Sequence, residues 1–112
     1  MEGLVEGDIV VVPFPFSNLT ESKRRPALIL RVLAGDDLIL CQITSKARHD
    51  NYSIPLLAHD FQNGSLKLAS FLRPNRLLTT DKVVVLYRVA TVTREKLGEA
   101  VNQAIKILKG EA

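Results

Sequence analysis

The chain is a succession of short apolar runs, each stopped by proline, glycine or aspartate, and this pattern restricts the possible fold more than any other feature. Ile9–Val12 is a β-branched run that ends at Pro13, a residue that cannot continue a helix. Ala27–Leu33 is a second apolar run, and it is followed by a turn signal at Gly35–Asp37 and a return strand at Leu38–Ile43. Because this pair is almost continuously apolar, we expect antiparallel strands that are buried on both faces or form a small barrel.

The segments on either side of this hairpin carry weaker signals. Residues 17–24 are polar and predict an exposed connection. Beyond residue 44, alternation and turn dipeptides decide the assignment. The expected elements are a short strand at Tyr52–Leu56, a strand at Leu66–Leu72 after a turn at Asn63-Gly64, a short strand at Arg76–Leu78 beyond an interruption at Pro74 and Asn75, a helical turn that can start at Thr79–Asp81, and a last strand within Val83–Val92.

The C-terminal segment changes to a helical period. Its apolar residues recur at i, i+3, i+4, i+7, i+8 and i+11, which predicts one apolar stripe on a helix. Thr93 is suited to cap the N-terminus of this helix, and Gly110 is suited to end it. The predicted fold class is therefore mainly β (α+β), a small barrel of antiparallel strands with one amphipathic helix packed on it. The stripe comprises Leu97, Ala100, Val101, Ala104, Ile105 and Leu108.

Length and composition are those of an ordinary globular protein. With 112 residues, the chain is expected to form one domain over residues 1–112. Cys41 lies in an apolar run and is expected to be a buried, unreactive thiol. The start of the chain lacks a signal-peptide pattern and no apolar run is long enough to cross a bilayer, so we expect a cytoplasmic protein without membrane contact.

The sequence lacks the common motifs of cofactor and metal enzymes. It contains no G-x-G-x-x-G, P-loop, C-x-x-C, H-E-x-x-H or G-x-S-x-G pattern. His49 and His59 are ten residues apart in a polar segment, and we expect both to be solvated side chains. We therefore expect neither a cofactor nor a bound metal.

Basic residues are clustered along the chain, although the net charge is only +3. Within residues 22–48 and 67–76, only Asp36 and Asp37 oppose them. Such a cluster predicts a face that binds phosphate groups. Its members are Lys23, Arg24, Arg25, Arg31, Lys46, Arg48, Lys67, Arg73 and Arg76.

Two of the residues at the ends of the hairpin are candidates for catalysis. Arg25 precedes Pro26 at the start of the second strand, and Thr44 ends the third. If the turn centres near Gly35, both lie toward the same open end of the pair, where a guanidinium and a hydroxyl could converge on one phosphate. From the residues alone, an alternative stays open, in which Arg25 is a surface charge and Thr44 is simply a strand-favouring residue.

Three stretches of the chain resemble the PemK/MazF family of toxins from type II toxin–antitoxin systems. They are Gly7–Phe16 (GDIVVVPFPF), Lys23–Leu30 (KRRPALIL) and Gln42–Ser45 (QITS), in the order and at the spacing of the family. The likeness continues through Ser70–Arg73 and the C-terminal helix, so it covers nearly the whole chain. The resemblance implies an SH3-like barrel that works as a homodimer. It also implies metal-independent cleavage of single-stranded RNA at short sequences, with 2′,3′-cyclic phosphate and 5′-hydroxyl ends, and neutralisation by an acidic, partly disordered antitoxin.

The resemblance also implies roles for individual residues. Arg25 and Thr44 match the catalytic arginine and threonine of the family, and Ser45 lies where a second hydroxyl often contributes. Some members carry an aspartate at the position of Asn75, where it has been assigned as the base, and asparagine cannot accept that proton. The proton then goes to Arg25 with a water, or to another acid such as Glu21, or activity is weak. The residues expected to contact RNA are Phe16, Ser17, Glu21, Lys23, Arg24, Lys46, Arg48, Arg73, Asn75 and Arg76.

Two other classes of function remain open on the sequence. A related fold, that of the CcdB toxins, inhibits DNA gyrase through protein contacts and cleaves nothing, but Arg25 and Thr44 favour the nuclease. A regulator that binds nucleic acid without cleaving it is the other alternative, and Asn75 makes it plausible.

Overall fold

The computed structural model describes residues 3–15, 22–46 and 49–112. Four of the residues expected to contact RNA lie outside these ranges, so their placement stays a prediction. They are Phe16, Ser17, Glu21 and Arg48.

Seven strands form one curled antiparallel sheet in the described residues, and one α-helix follows them. The elements are β1 (Asp8–Pro15), β2 (Ser22–Val32), β3 (Asp37–Thr44), β4 (Ile54–Leu56), β5 (Phe61–Gly64), β6 (Ser70–Asp81), β7 (Tyr87–Val92) and α1 (Arg94–Leu108), with single 3₁₀ turns at Ala58–Asp60 and Lys82–Val84. The strand order across the sheet is β4-β6-β3-β2-β1-β7-β5. This half-barrel with a C-terminal helix confirms the predicted fold class.

The central strands β1, β2 and β3 separate two apolar layers. Successive residues of a strand point to opposite faces, so a continuously apolar strand can supply both layers at once. On the helix side, Leu28, Cys41 and Ile43 pack with Ala100 and Ala104 of α1. The other layer consists of Val10, Val12, Phe14, Ala27, Ile29, Leu38, Leu40 and Val85. The predicted hairpin of β2 and β3, and the burial of Cys41, are confirmed.

The Gly7-Asp8 pair at the start of β1 has a structural role. Gly7 adopts a positive φ of 95°, which favours glycine, and its carbonyl accepts a hydrogen bond from the backbone N–H of Val92. The Asp8 side chain is 2% exposed and accepts hydrogen bonds from Thr91 at 2.9 Å and from Arg88 at 3.1 Å. These contacts add to the ladder that joins the start of β1 to β7.

The predicted exposed connection over residues 17–24 was wrong at its C-terminal end. β2 begins at Ser22, and Lys23 and Arg24 pair with Phe14 and Pro13 of β1. The polar composition misled the prediction because the two side chains are exposed while their backbone belongs to the sheet. Arg25 consequently lies inside a strand and not at its entrance.

The predicted interruption at Pro74 and Asn75 was also wrong, because β6 runs without a break from Ser70 to Asp81. The strand accommodates the proline in a bulge. Cys41 of β3 is opposite Leu77, but the next residue, Gln42, is opposite Arg73, so residues 74–76 have no partner on β3. A proline costs no ladder hydrogen bond where the ladder is already interrupted.

The strand predicted at Leu66–Leu72 is correct only from Ser70 onward. Asn63 and Gly64, predicted as a turn, instead end the short edge strand β5, which the sequence reading missed. Gly64 has a φ of +71°, and a Cβ built there would lie 2.5 Å from the Val89 carbonyl oxygen. The glycine therefore permits the close approach of β5 to β7. In the sequence, the same Asn-Gly pair is indistinguishable from a turn signal.

The C-terminal helix is confirmed together with both of its ends. The Thr93 hydroxyl accepts a hydrogen bond from the Lys96 backbone N–H at 3.2 Å, and Gly110 has a φ of +73° directly after the helix. Ala100 and Ala104 are buried, but Leu108 at the end of the stripe is 78% exposed. No helix in the described ranges is long and apolar enough to span a membrane.

A buried ion pair connects this helix to the segment after β4. The Lys96 ammonium is 3.4 Å from an Asp60 carboxylate oxygen, and the two side chains are 9% and 8% exposed. Lys96 also bonds Glu99 at 2.8 Å and the Pro55 carbonyl at 3.3 Å. The Asp60 carboxylate further accepts the backbone N–H of Leu57 at 2.7 Å. The sequence reading gave neither Lys96 nor Asp60 a role.

Candidate active site

A cleft of about 310 Å³ lies where β2, β3 and the start of β6 meet the segment before β6. Of the described residues that line it, four are cationic and none is acidic. The cations are Arg25, Lys46, Lys67 and Arg73, the hydroxyl and amide side chains are Gln42, Thr44, Ser45 and Ser70, and the apolar residues are Pro26, Ile43, Leu66 and Leu68. Such a lining attracts a polyanion and offers donors to its phosphate oxygens.

The hairpin of β2 and β3 brings Arg25 and Thr44 together. Ala27 is opposite Gln42, so Arg25 and Thr44, each two residues farther toward the open end, lie on the same face of the pair. This is also the face of the second apolar layer, which contains Ala27 and Leu40. The cleft is thus the place where that layer ends and polar side chains replace apolar ones. Arg25 and Thr44 are both half-buried.

A local turn orients the Thr44 hydroxyl. The backbone N–H of Lys46 donates to the Thr44 Oγ1 at 3.1 Å. Because the oxygen already accepts this bond, the hydroxyl hydrogen remains able to donate to a group in the cleft. Ser45 and Lys46, which follow, are exposed at its rim.

Arg73 lies on the opposite wall, at the bulge of β6. It faces Gln42 across the ladder, and its charge acts on Asp50. Hydrogen bonds donated by the backbone N–H groups of Ser53 and Tyr52 hold the pKa of the Asp50 carboxyl below its usual range, and the positive charge of Arg73 adds to this effect. Asp50 is therefore a weak proton acceptor, although its charge lies within electrostatic reach of the cleft.

Asn75 lies in the bulge of β6, where it has no partner on β3. Asn75 is half-buried and does not line the cleft. Its side-chain oxygen is buried and accepts no hydrogen bond from any residue that the structure describes.

Other candidates from the sequence are spread over the surface. Lys23, Arg24 and Arg76 do not line the cleft, although the first two are exposed on the neighbouring part of β2. Arg31 is at the far end of β2 beside a separate shallow groove. The cationic lining of the cleft is therefore smaller than the basic cluster in the sequence and comprises Arg25, Lys46, Lys67 and Arg73 among the described residues.

The cysteine and the histidines have no part in the cleft. Burial raises the pKa of the Cys41 thiol to about 12, against the opposing effect of the Arg73 backbone N–H and charge, so the thiol is neutral at physiological pH. His49 is exposed and the His59 side chain is 79% exposed. No group of three metal-binding side chains occurs in the described ranges.

Three polar residues of the lining were not predicted as site residues from the sequence, namely Gln42, Lys67 and Ser70. Lys67 belongs to the basic cluster, but its sequence position alone did not indicate a contact. The Ser70 hydroxyl donates to the Leu68 carbonyl at 2.8 Å and so shapes the segment before β6. Gln42 could have been found from the sequence, because an amide interrupts an otherwise apolar strand.

Comparison with known families decides the relationship of the chain. Residues 6–108 match the profile of the PemK-like, MazF-like toxins of type II toxin–antitoxin systems. The chain belongs to this family. The resemblance seen in the sequence is thus confirmed over almost the whole chain. A search of curated proteins gave no significant match.

Solved structures of MazF toxins share the fold. MazF from Deinococcus radiodurans superposes with a TM-score of 0.76 at 20% identity, over 95% of this chain and 96% of that one. The Mycobacterium tuberculosis toxin MazF-mt6 gives a TM-score of 0.66 at 19% identity, over 89% and 93%. An endoribonuclease in complex with its cognate antitoxin, from a mycobacterial species, gives 0.62 at 13% identity, over 98% of each chain. At these identities the likeness establishes the fold of this PemK/MazF family member.

Proposed function

We propose that this toxin is a metal-independent endoribonuclease that cleaves single-stranded RNA within the cleft around Arg25. The observation that carries the proposal is the lining itself, in which four cations and an oriented hydroxyl converge and no described lining residue carries a carboxylate. Relatives of the same fold are named endoribonucleases. The proposed catalytic residues are Arg25, Thr44 and Ser45.

The chemistry requires no nucleophile from the protein. The 2′-hydroxyl of the RNA attacks the adjacent phosphorus while the bond to the 5′-oxygen breaks, which leaves a 2′,3′-cyclic phosphate and, after protonation, a 5′-hydroxyl. Arg25 neutralises the charge that develops on the phosphorane with two parallel donors, and Thr44 donates one further hydrogen bond. The proton of the 2′-hydroxyl passes to a water beside Arg25 or to an acid such as Glu21, because Asn75 cannot accept it.

The proposed partners follow from the family. Solved neighbours include MazE–MazF assemblies from Deinococcus radiodurans. For this chain we propose an acidic antitoxin segment that covers the cationic cleft, a homodimeric toxin, and action in the cytoplasm. Such a segment would compete with RNA for Arg25, Lys46 and Arg73.

The proposal is tested by incubating the purified protein with a single-stranded RNA in EDTA and identifying the product ends. We expect cleavage to persist in the chelator and to leave cyclic phosphate and 5′-hydroxyl termini. Intact RNA that is nevertheless bound would favour the non-cleaving regulator, which Asn75 makes the main alternative. Absence of both binding and cleavage would favour a protein target instead.

The exposed lysines of the cleft should act through charge alone. Lys46→Ala and Lys67→Ala are each expected to reduce the slope of log affinity against log salt by about 0.7 for a single-stranded RNA, equally for all sequences. Fluorescence anisotropy over a salt series measures the slope. Lys106→Ala, an exposed lysine on α1 outside the cleft, is the matched control. An unchanged slope in both cleft variants would place the RNA elsewhere.

A further inference from the structure

Gln42 occupies a position that the strand pattern reserves for an apolar side chain. It follows Leu38 and Leu40 on the same face of β3, and both leucines are buried in the second apolar layer. Gln42 is itself only 7% exposed, and it lies between Ala27 of β2 and Arg73 of β6. An amide at such a depth requires an explanation that packing does not provide.

The amide oxygen of Gln42 is buried and accepts no hydrogen bond from any residue in the described ranges. A buried acceptor left without a donor costs roughly 1–3 kcal/mol relative to a satisfied one. Replacement by leucine or methionine would remove this cost and extend the apolar layer. Within the described residues this acceptor has no donor, so a group that reaches it from a bound ligand would remove the cost.

The surroundings indicate the kind of partner. Gln42 lines the floor of the cleft, whereas Arg25 and Thr44 are more exposed and lie nearer its open side. Phosphate and ribose are held by the cationic and hydroxyl groups, so the group that reaches the floor is one that extends away from the RNA backbone. Apolar side chains, Pro26 and Leu66 among them, also line this space and suit a flat ring. Single-stranded RNA presents such rings as splayed, unstacked bases.

We infer that Gln42 is a specificity-determining residue whose side-chain amide pairs with the edge of one base next to the cleaved phosphate. A neutral amide brings no charge to a phosphate, although its N–H groups can donate to one. It presents an acceptor beside two donors, and each base edge offers a donor beside an acceptor. The buried oxygen would accept an N–H of that base. The inference rests on the proposed RNA cleavage and adds which residue selects the sequence.

The experiment compares the wild-type protein with Gln42→Leu and with Gln62→Leu, a control glutamine that is exposed on β5 and does not line the cleft. Each protein is incubated with a randomised single-stranded RNA, and the cleaved ends are sequenced. Binding of short RNA oligonucleotides that differ at one base is measured in parallel on Arg25→Ala backgrounds, in which cleavage is expected to be slower by roughly 10²–10³-fold or more. A thermal melt of each variant reports the fold.

We expect Gln42→Leu to lower the preference for one base at one position by roughly 5- to 150-fold, with other positions unchanged. Its melting temperature should be equal to or above that of the wild type, because an unsatisfied polar group is replaced by an apolar one. The Gln62→Leu control should keep the wild-type preference.

Other outcomes separate the inference from the proposed function. Loss of base preference in binding by Gln42→Leu, with no cleavage by the wild-type protein, would support the inference and overturn the proposed nuclease. If Gln42→Leu slows cleavage of all sequences equally and keeps the base preference, the inference is overturned and the proposed nuclease is retained. The same holds if the variant melts at a lower temperature and loses activity equally on all sequences. Cleavage without any base preference in the wild-type protein would also overturn it.

Discussion

Arg25→Ala is expected to reduce RNA cleavage by roughly 10²–10³-fold or more while the fold is retained. The side chain is half-buried in the cleft and contributes to neither apolar layer, so its removal creates no core cavity. It does remove the group best placed to neutralise charge on the phosphorane. Single-turnover cleavage of one RNA, together with a thermal melt, measures both effects.

Variants around Arg25 refine this prediction. Arg25→Lys should restore the rate only in part, because an ammonium keeps the charge but loses the two-pronged geometry. Thr44→Ala should cost less than Arg25→Ala, and Thr44→Ser should keep much of the rate. Arg31→Ala, exposed on the same strand but outside the cleft, is the control and should leave the rate unchanged. A larger loss in His49→Ala or His59→Ala than in Thr44→Ala would show that the site is placed wrongly.

Asp60→Ala is expected to lower the free energy of unfolding by about 3 kcal/mol, the low end of the range for breaking a buried ion pair. The substitution leaves the Lys96 ammonium buried, and among the described residues its remaining partners are Glu99 and the Pro55 carbonyl. It also removes the acceptor for the Leu57 backbone N–H. Urea denaturation followed by circular dichroism gives the change.

The control for this prediction is an exposed ion pair of the same chain. Lys82 and Asp36 are 3.3 Å apart, and their side chains are 41% and 60% exposed. Asp36→Ala should therefore change the stability by only about 0–1 kcal/mol. Equal effects of the two substitutions would mean that burial of the Lys96–Asp60 pair does not matter.

The elements that could be predicted from the sequence are those whose signal is local. The helix has a complete apolar period with Thr93 and Gly110 at its ends, and the β2–β3 hairpin has two apolar runs around Gly35. The start of β2, the bulge at Pro74 and the edge strand β5 could not be predicted in this way. The start of β2 depends on pairing with β1 through polar residues that carry no strand pattern, and the bulge and β5 depend on partner strands distant in sequence.

The residues of the candidate site also differ in whether a local pattern predicts their position. Arg25 and Thr44 were predicted to lie near each other because one hairpin register relates them. Arg73 and Lys67 come from a distant part of the chain, and the bulge that places Arg73 opposite Gln42 has no local signal. Lys23, Arg24 and Arg76 do not line the cleft. Arg24 points to the opposite face of β2 from Arg25, whereas Lys23 shares the face of Arg25 but lies farther along the strand. Arg76 lies in the bulge of β6, without a partner on β3.

By itself the sequence determined the family, the fold class, the terminal helix and the hairpin that joins Arg25 to Thr44, since each depends on residue types at short, regular spacings. Only the tertiary structure decided which cations share one cleft, that Asn75 lies outside it, and that Gln42 is buried at its floor without a partner among the described residues. These features depend on register between strands that are far apart in the chain. A shift of one residue in such a register moves every side chain of the strand to the opposite face of the sheet. No local sequence pattern specifies a register between distant strands.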